Sequence, residues 1–145
     1  IQRRLLTVHY HVYGSPDYLK QYGRPPTPQE LDRHRIITYG AHTDLPNSDP
    51  VNWLEMIGRE GRERRQPLFS VNNIYGVLLA VESGLGLGSL PDYLVHGNNR
   101  VVRVLEDQEG PTYDTYFVYP EELRKSKRIA VFRDFLIQKV KEWEF

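Results

Sequence analysis

The stretch LFSVNNIYGVLLAVESGLGLGSLP, residues 68–91, decides the fold. It opens with a short apolar run, continues with apolar residues at near-helical spacing, and closes with a second apolar run stopped by Pro91. This pattern predicts a strand, a helix and a strand. The helix is expected to begin after Asn72 or Asn73, because a short side-chain oxygen can accept from the first free backbone N–H groups. A unit this short predicts parallel strands joined by a right-handed crossover.

Three alternating glycines, at positions 84, 86 and 88, follow the predicted helix. They are expected to end the helix and to let the next strand run close to its neighbours. The dinucleotide-binding fingerprint needs its glycines after a strand and at the opening of a helix. Here they follow a helix and open a strand, so the sequence predicts no nucleotide cofactor.

Val71, Asn72 and Asn73 mark the edge at which the first of these strands ends. In an open α/β sheet, ligands bind beyond the carboxyl ends of the strands. The free N–H groups and the dipole of a helix that begins at this edge favour an anion. Asn72 and Asn73 are therefore candidate ligand contacts, with Ile74 as an apolar wall. The alternative is a helix cap with no ligand.

The composition describes a chain that can fold around a core and that carries no net charge. Of the 145 residues, 39% are hydrophobic, and 19 basic residues balance 19 acidic ones. This balance argues against a free-standing nucleic-acid-binding protein, which normally has a basic excess. Cysteine is absent, which excludes disulfides and thiolate metal sites. No apolar run approaches the roughly 20 residues that span a bilayer.

The chain opens on Ile1 rather than methionine and continues at once with strand-like sequence. We interpret this as a start inside a longer protein. Residues 4–13 predict a first strand, broken at Gly14, and Ser15 followed by Pro16 predicts the cap and first turn of a short helix. Ser15 is a second candidate ligand contact, with helix capping as the alternative, and Tyr13 and Gly14, which border the hinge, are further candidate contacts.

The other predicted elements are short, except for the last helix. The sequence predicts helices at 28–33 and 91–95, strands at 35–40, 53–57, 101–105 and 113–119, a loop at 41–52, and an amphipathic helix over 126–143. The charged segment 58–66 is expected to be an exposed turn between antiparallel strands.

Two long strands, at 4–13 and 113–119, flank everything between them. This layout predicts an inserted lobe, residues 14–115, and an outer lobe with its hinge strands, residues 1–13 and 116–145. The chain would cross out once and return once, and the outer lobe would be incomplete.

His9 and His11 share one face of the first predicted strand, and such a pair could ligate a metal. No third ligand stands at a matching spacing, so hydrogen-bonded histidines on a half-buried face are the simpler interpretation and no metal site is predicted. Two arginine-rich segments, 62–65 and 124–128, are interpreted as solvated surface, the second as a contact with another part of a full-length protein. No nucleophile with a base and no carboxylate pair is evident, so no catalysis is predicted.

The order of motifs resembles one protein family over nearly the whole chain. The segments VYGSPDYLKQYGRPPTPQELDRHRIITYG, VNNIYGVLLAVESGLGLGSLPDYLV, RVVRVLED and YFVYPEELRKSKRIAVFRDFL resemble, in sequence, the co-inducer-binding domain of LysR-type transcriptional regulators. The resemblance implies an α/β fold of the periplasmic-binding-protein-like type 2 class. In that fold two Rossmann-like subdomains are joined by two crossing strands.

The resemblance also implies a function. It implies a cytoplasmic bacterial regulator that binds a small, often anionic effector in the cleft between subdomains, and a dimer or tetramer in the full-length protein. DNA would be bound only through an N-terminal winged helix-turn-helix that this chain lacks. No cofactor and no membrane partner are implied. The alternative is a lobe of a periplasmic solute-binding protein for transport, which a signal peptide upstream of Ile1 would indicate. A third hypothesis, an enzyme built on the same fold, is not favoured.

Overall fold

The computed structural model describes residues 1–40 and 50–143, and it divides the chain into two compact units. The larger unit is continuous and runs from Tyr10 to Pro111. The smaller unit joins the segments Ile1–His9 and Thr112–Phe145. The first strand therefore contributes its beginning to one unit and its end to the other.

Strands and helices alternate along most of the chain, as is typical of an α/β fold, although β5 is followed directly by β6. The strands are β1 (Gln2–Gly14), β2 (Ile36–Tyr39), β3 (Phe69–Val71), β4 (Leu87–Pro91), β5 (Val102–Val104) and β6 (Thr112–Val118), and the α-helices are α1 (Pro16–Tyr22), α2 (Ile74–Glu82), α3 (Asp92–Val95) and α4 (Lys127–Lys141). Short 3-10 helices span Pro28–Arg33, Pro50–Glu55 and Glu121–Leu123.

A five-stranded mixed sheet organises the larger unit, in the order β3-β2-β4-β1-β5. Strand β2 is parallel to both β3 and β4, whereas β1 is antiparallel to β4 and β5. The predicted strands on either side of α2 are thus parallel, but β2 lies between them. The register pairs Tyr10 with Pro91 and Tyr13 with Gly88, so β1 runs against the direction of β4.

Hydrophobic side chains cover both faces of this sheet. One cluster joins Val12, Ile36 and Leu87 to α1 and to the first two 3-10 helices. The other joins Ile37 and Leu90 to α2 and α3. Strand β4 lies in the middle of the sheet, and all of its residues are buried. A strand covered on both faces explains why its sequence shows a continuous apolar run rather than an alternation.

Two of the alternating glycines have separate structural reasons. Gly84 follows α2 with a φ of 79°, a left-handed conformation that glycine adopts without steric cost. A Cβ at Gly86 would lie 2.4 Å from the carbonyl oxygen of Arg35. The same carbonyl accepts from the backbone N–H of Leu87 at 2.8 Å, where β4 joins β2. The close approach of these two backbone segments therefore excludes a side chain at position 86.

The segment between β2 and β3 differs most from its prediction. Residues 53–57 are not a strand, because Trp53 and Leu54 belong to the 3-10 helix Pro50–Glu55. The apolar side chains of this segment pack on the sheet face rather than at a sheet edge, with Leu54 buried and Trp53 half-buried against the same cluster. The segment 58–66 is not a turn between antiparallel strands either, because it leads into β3, which is parallel to β2. The predicted loop at 41–52 lies largely outside the described residues.

Arg65 is buried, contrary to the prediction of a solvated arginine cluster. Its side chain is 4% exposed, and its Nε donates to Asp32 at 2.7 Å. Its terminal nitrogens donate to the backbone carbonyls of Leu54, Ile57 and Pro28 at 2.9, 2.6 and 3.0 Å. One guanidinium thereby ties together the 3-10 helices Pro28–Arg33 and Pro50–Glu55.

Asp32 is the acceptor at the centre of this network. Its carboxylate also receives hydrogen bonds from Arg59 at 3.1 Å and from Arg62 at 3.3 Å. Burial alone would raise the pKa of Asp32, but the hydrogen bond from Arg65 and the charges of Arg65 and Arg59 outweigh it. The pKa of Asp32 therefore lies below its usual value.

The smaller unit is a two-stranded ribbon with one long helix. The first part of β1 pairs antiparallel with β6, and the register shifts between Arg4 and Leu6. Phe117 on β6 contacts Phe132 on α4 edge to face, with 5.7 Å between ring centroids. Helix α4 contains no fully buried residue. Throughout residues 1–40 and 50–143, no helix is long and apolar enough to cross a membrane.

Replacing Arg65 by methionine should lower the free energy of unfolding by about 3 kcal/mol or more. The change leaves Asp32 without its closest partner and three backbone carbonyls without donors. Urea unfolding of this variant tests the prediction. Arg33→Met is the control, because Arg33 is an exposed arginine of the same region. The control should change stability by less than about 0.5 kcal/mol. Equal effects in the two variants would contradict the structural role of Arg65.

The Asp32 network should also give stability an acid-sensitive component. The pKa of Asp32 is lower in the folded chain than the value of about 3.9 expected when unfolded. Its contribution is therefore complete above that value and is lost as the pH falls through the folded pKa. Asp32→Asn should be less stable than the parent at neutral pH, and the difference should shrink between about pH 5 and about pH 2. A difference that stays constant over this range would contradict the assignment.

The two adjacent asparagines before α2 should respond differently to substitution. The Asn73 side-chain oxygen accepts from the N–H groups of Tyr75 at 2.8 Å and Gly76 at 3.3 Å, so it caps the helix. Asn73→Ala should lower the free energy of unfolding by about 1 kcal/mol, and Asn73→Asp should restore it. Asn72→Ala is the matched control and should remain within about 0.5 kcal/mol of the parent. The reverse order in thermal or urea unfolding would contradict the cap.

Candidate functional site

A pocket of about 450 Å³ opens where the parallel strands of the larger unit end. This volume lies within the range of small-molecule sites. Among the residues that the structure describes, six line it: Tyr10, Tyr39, Val51, Asn72, Asn73 and Ile74.

The sheet topology explains why these residues meet. Strands β2 and β3 are parallel and end at Tyr39 and Val71, and the next residues are Asn72, Asn73 and the start of α2. Strand β1 is antiparallel to them, so the first of its residues in the larger unit, Tyr10, lies at this same edge opposite Pro91. Three chain segments therefore converge at one edge of the sheet, as expected for a ligand site in an open α/β fold.

Asn52 fixes the backbone at the end of β2. Its side-chain oxygen accepts from the N–H of Tyr39 at 3.0 Å, and its side-chain nitrogen donates to the carbonyl of Tyr39 at 2.7 Å. The amide thus makes the pair of bonds that a neighbouring strand would make. Beyond Tyr39, the N–H of Gly40 donates to the carbonyl of Val71 at 2.8 Å. These bonds hold the wall of the pocket formed by Tyr39 in place.

The two asparagines in the pocket have different surroundings. The Asn73 side chain caps α2 through the N–H groups of Tyr75 and Gly76. The Asn72 side chain is exposed at the mouth of the pocket, and its amide forms no hydrogen bond with any residue in the described ranges 1–40 and 50–143. The alternative of a simple cap therefore applies to Asn73, while the Asn72 amide can bond to a ligand.

The described lining of the pocket carries no charged side chain. Ile74 and Val51 supply aliphatic surface, the two tyrosines supply aromatic surface, and Asn72 supplies an amide. The positive end of the α2 dipole lies at Ile74, the first residue of a nine-residue helix. This arrangement can hold a small ligand with an apolar part and an anionic or hydrogen-bonding group.

Tyr13, Gly14 and Ser15 do not line this pocket, and their role as ligand contacts stays a prediction. Because β1 is antiparallel to β4, its last residues lie at the opposite edge of the sheet from Asn72. Ser15 is 3% exposed, and its hydroxyl accepts from the N–H of Tyr18 at 3.1 Å. Ser15 therefore acts as the cap of α1. The sequence could not distinguish the two edges, since strand direction depends on pairing with β4.

Tyr13 instead joins a polar cluster on the α2 face of the sheet. Its hydroxyl donates to Oδ1 of Asp92 at 2.8 Å, and the same oxygen lies 2.7 Å from Nδ1 of His11. Burial, together with the hydrogen bond to Asp92 and its charge, raises the pKa of Tyr13 well above its usual value. These contacts attach the buried part of β1 to the start of α3, a structural role for His11 and Tyr13.

His9 and His11 were predicted to share one strand face, but they have different surroundings in the structure. His11 is buried on Asp92, while His9 is exposed and pairs with Thr112 in the smaller unit. In the part of the chain that the structure describes, no group of three or more His, Cys, Asp or Glu side chains is arranged to hold a metal ion.

Three lining residues, Tyr10, Tyr39 and Val51, were not among the predicted contacts. Tyr39 ends the predicted strand 35–40, and the rule that placed Asn72 at a carboxyl edge applies to it equally. Tyr10 could not be found in this way, because its place at this edge requires β1 to be antiparallel. Val51 lies in the segment 41–52, whose sequence predicted only a loop.

Comparison with known proteins places the whole chain in one family. The sequence profile of the LysR substrate-binding domain matches residues 1–141. A transcriptional regulator of the HTH type from Xanthomonas campestris is 28% identical over 144 residues, which are 97% of this chain and 42% of that protein. The HTH-type regulator YhjC of Escherichia coli is 26% identical over 140 residues, 90% of this chain and 44% of that protein. The chain thus spans less than half the length of these curated relatives.

Solved structures agree on the fold. The regulatory domain of CrgA from Neisseria meningitidis, a LysR-type regulator, superposes with a TM-score of 0.80 at 24% identity, over 97% of this chain and 68% of that domain. Full-length AphB from Vibrio cholerae gives a TM-score of 0.74 at 22% identity, over 96% of this chain and 47% of that protein. These regulatory domains have the periplasmic-binding-protein-like type 2 fold, which confirms the predicted fold class, and the alternative of a periplasmic transport protein is not favoured. The chain belongs to the LysR substrate-binding domain family of transcriptional regulators.

Proposed function

We propose that the chain binds a small anionic effector in the pocket at the carboxyl edge of β2 and β3, and that binding modulates a DNA-bound LysR-type regulator. The observation that carries this proposal is the pocket itself. In a chain of an effector-binding family, it combines an amide with no protein partner among the described residues, Asn72, with the start of α2.

The preference for an anion rests on two features of the lining. The partial positive charge at a helix N-terminus favours negative groups, and α2 begins at the pocket with Ile74. No carboxylate lines the described part of the pocket, so nothing there would repel an acid. A carboxylate held by the Asn72 amide would receive a charge-assisted hydrogen bond, which is stronger than a neutral one.

Binding rather than catalysis fits the described lining. A catalytic site needs a nucleophile with a base or convergent acid and base groups. The six lining residues include two asparagines, two tyrosines and two aliphatic side chains. This set can orient a ligand, and we expect no turnover.

The path of β1 suggests how binding is transmitted. Tyr10 lines the pocket and is the first residue of the larger unit, while His9, its neighbour in sequence, is the last residue of this segment in the smaller unit. A ligand that contacts Tyr10 therefore touches β1, a strand whose residues belong to both units. A ligand that binds better to one arrangement of the units would shift their equilibrium toward it.

The rest of the regulator is part of the proposal. We propose a full-length bacterial cytoplasmic protein in which an N-terminal winged helix-turn-helix contacts DNA and in which regulatory domains assemble as dimers or tetramers. The curated relatives support this view because they are HTH-type transcriptional regulators of more than twice the matched length.

A ligand screen with matched variants tests the proposal. Small carboxylic acids are screened for a rise in the unfolding temperature of the chain, and hits are titrated by calorimetry. Asn72→Ala should weaken binding of a hit by about tenfold or more, because it removes a hydrogen bond to a charged group. Asn99→Ala, an exposed asparagine outside the pocket, should leave the affinity unchanged.

Two results would contradict the proposal. One is an acid that stabilises the parent and the Asn72→Ala variant equally, which would move the site elsewhere. The other is a preference of the pocket for cations or uncharged amines. Asn73 is not used as a probe of binding, because its substitution removes the cap of α2 and would change stability as well as affinity.

A further inference from the structure

Four cationic residues at the start of α4 form what we call the basic surface: Arg124, Lys125, Lys127 and Arg128. All four are exposed. They occupy the end of the 3-10 turn that follows β6 and the first helical residues. The effector pocket belongs to the larger unit and the basic surface to the smaller one, so the two sites are distinct.

Several other arginine and lysine side chains are neutralised by partners inside the chain. Arg59, Arg62 and Arg65 share Asp32 and several backbone carbonyls. In the smaller unit, three further cations have carboxylate partners: Arg4 with Asp114, Arg133 with Asp134 and Lys139 with Glu142. Arg3 and Lys141 are exposed cations that stand apart from one another in sequence. The segment 59–65 is equally basic in sequence, but the structure uses its charges to hold the fold together.

Three of the four residues of the basic surface lack such partners. Arg124 has one exposed ion pair with Glu121 at 3.3 Å. Lys125, Lys127 and Arg128 form no ion pair and no side-chain hydrogen bond with any residue in the described ranges 1–40 and 50–143. Glu121 and Glu122 precede the surface and reduce its net charge. The local excess nevertheless remains positive, with four cations against two carboxylates over residues 121–128.

The position of these cations is unfavourable for the helix itself. Positive side chains near a helix N-terminus oppose the dipole, and α4 begins at Lys127. Ser126 occupies the cap position, but its side chain makes no capping hydrogen bond. A negatively charged partner would relieve both features at once, because it would neutralise the cations and meet the free end of the helix.

Contrary to the expectation that DNA is bound only through an N-terminal domain, we propose that the basic surface also docks on the phosphate backbone of duplex DNA. Duplex DNA carries about one negative charge per 1.7 Å of its axis, so several flexible cations can be neutralised together without a specific base sequence. Membership of a family of transcriptional regulators places such a domain in a protein that acts on DNA. Because the whole chain has no net charge, the contact is local, weak and sensitive to salt.

Fluorescence anisotropy tests this with the 145-residue chain and a labelled duplex of arbitrary sequence. Binding is expected at about 20 mM salt, with a slope of log K against log salt near −2.7, since each neutralised phosphate contributes about −0.9 and three free cations are available. The triple variant Lys125→Gln, Lys127→Gln, Arg128→Gln should lose at least about tenfold in affinity, and its slope should approach zero.

A charge-matched control separates this surface from general attraction. The triple variant Arg3→Gln, Lys20→Gln, Lys141→Gln removes three exposed cations from other places and changes the net charge equally. It should retain the affinity of the parent within about twofold. Circular dichroism should show all three proteins folded, and the first variant should unfold at the same or a slightly higher temperature, because cations have left a helix N-terminus.

Three results would overturn the proposal. The first is no binding at low salt, and the second is an equal loss of affinity in the two triple variants. The third is stronger competition by polyglutamate than by unlabelled DNA at equal charge concentration, which would assign the surface to an acidic polypeptide. A failure of ligand binding at the effector pocket would leave this test unaffected.

Discussion

The direction of β4 relative to its two neighbours is the constraint on which the candidate site depends. Strand β4 lies at the centre of the sheet, buried on both faces, parallel to β2 and antiparallel to β1. This pairing brings Tyr39 and Asn72 to one edge and turns β1 so that Tyr10 joins them. It also places Ser15 at the other edge, where its hydroxyl caps α1. The position of a residue along its strand therefore does not reveal which edge it reaches until the partner strand is known.

The features that the sequence predicted well are those with a local physical cause. Helical spacing located α2, the glycine after it ended the helix, and Asn73 supplied the cap. The family resemblance supplied the fold class, which the profile match and the structural neighbours confirm. Of the predicted ligand contacts, Asn72, Asn73 and Ile74 lie together in one pocket. Their role in binding remains a proposal.

The errors arose where long-range contacts override local preference. Trp53 and its neighbours have the composition of a strand, but their apolar side chains pack on the face of the sheet as part of a 3-10 helix. Arg65 lies in a charged segment and yet is buried, because Asp32 and three carbonyls from distant positions surround its guanidinium. Neither arrangement leaves a periodic signal in the sequence, since the partners are separated by up to 37 residues.

Two residues of the same type can thus have different roles, one in holding the fold together and the other in being available to bind a ligand. Asn73 is used by its helix, and Asn72 remains available at the pocket. The central claim is that Asn72 meets the effector, and NMR spectroscopy of the isotope-labelled chain tests it most directly. On titration with an acid that binds, the account predicts shifts of the Asn72 side-chain amide and of the Ile74 backbone N–H, with the Ser15 N–H unmoved. Shifts centred on Ser15 and Gly14, with Asn72 and Ile74 unchanged, would contradict it.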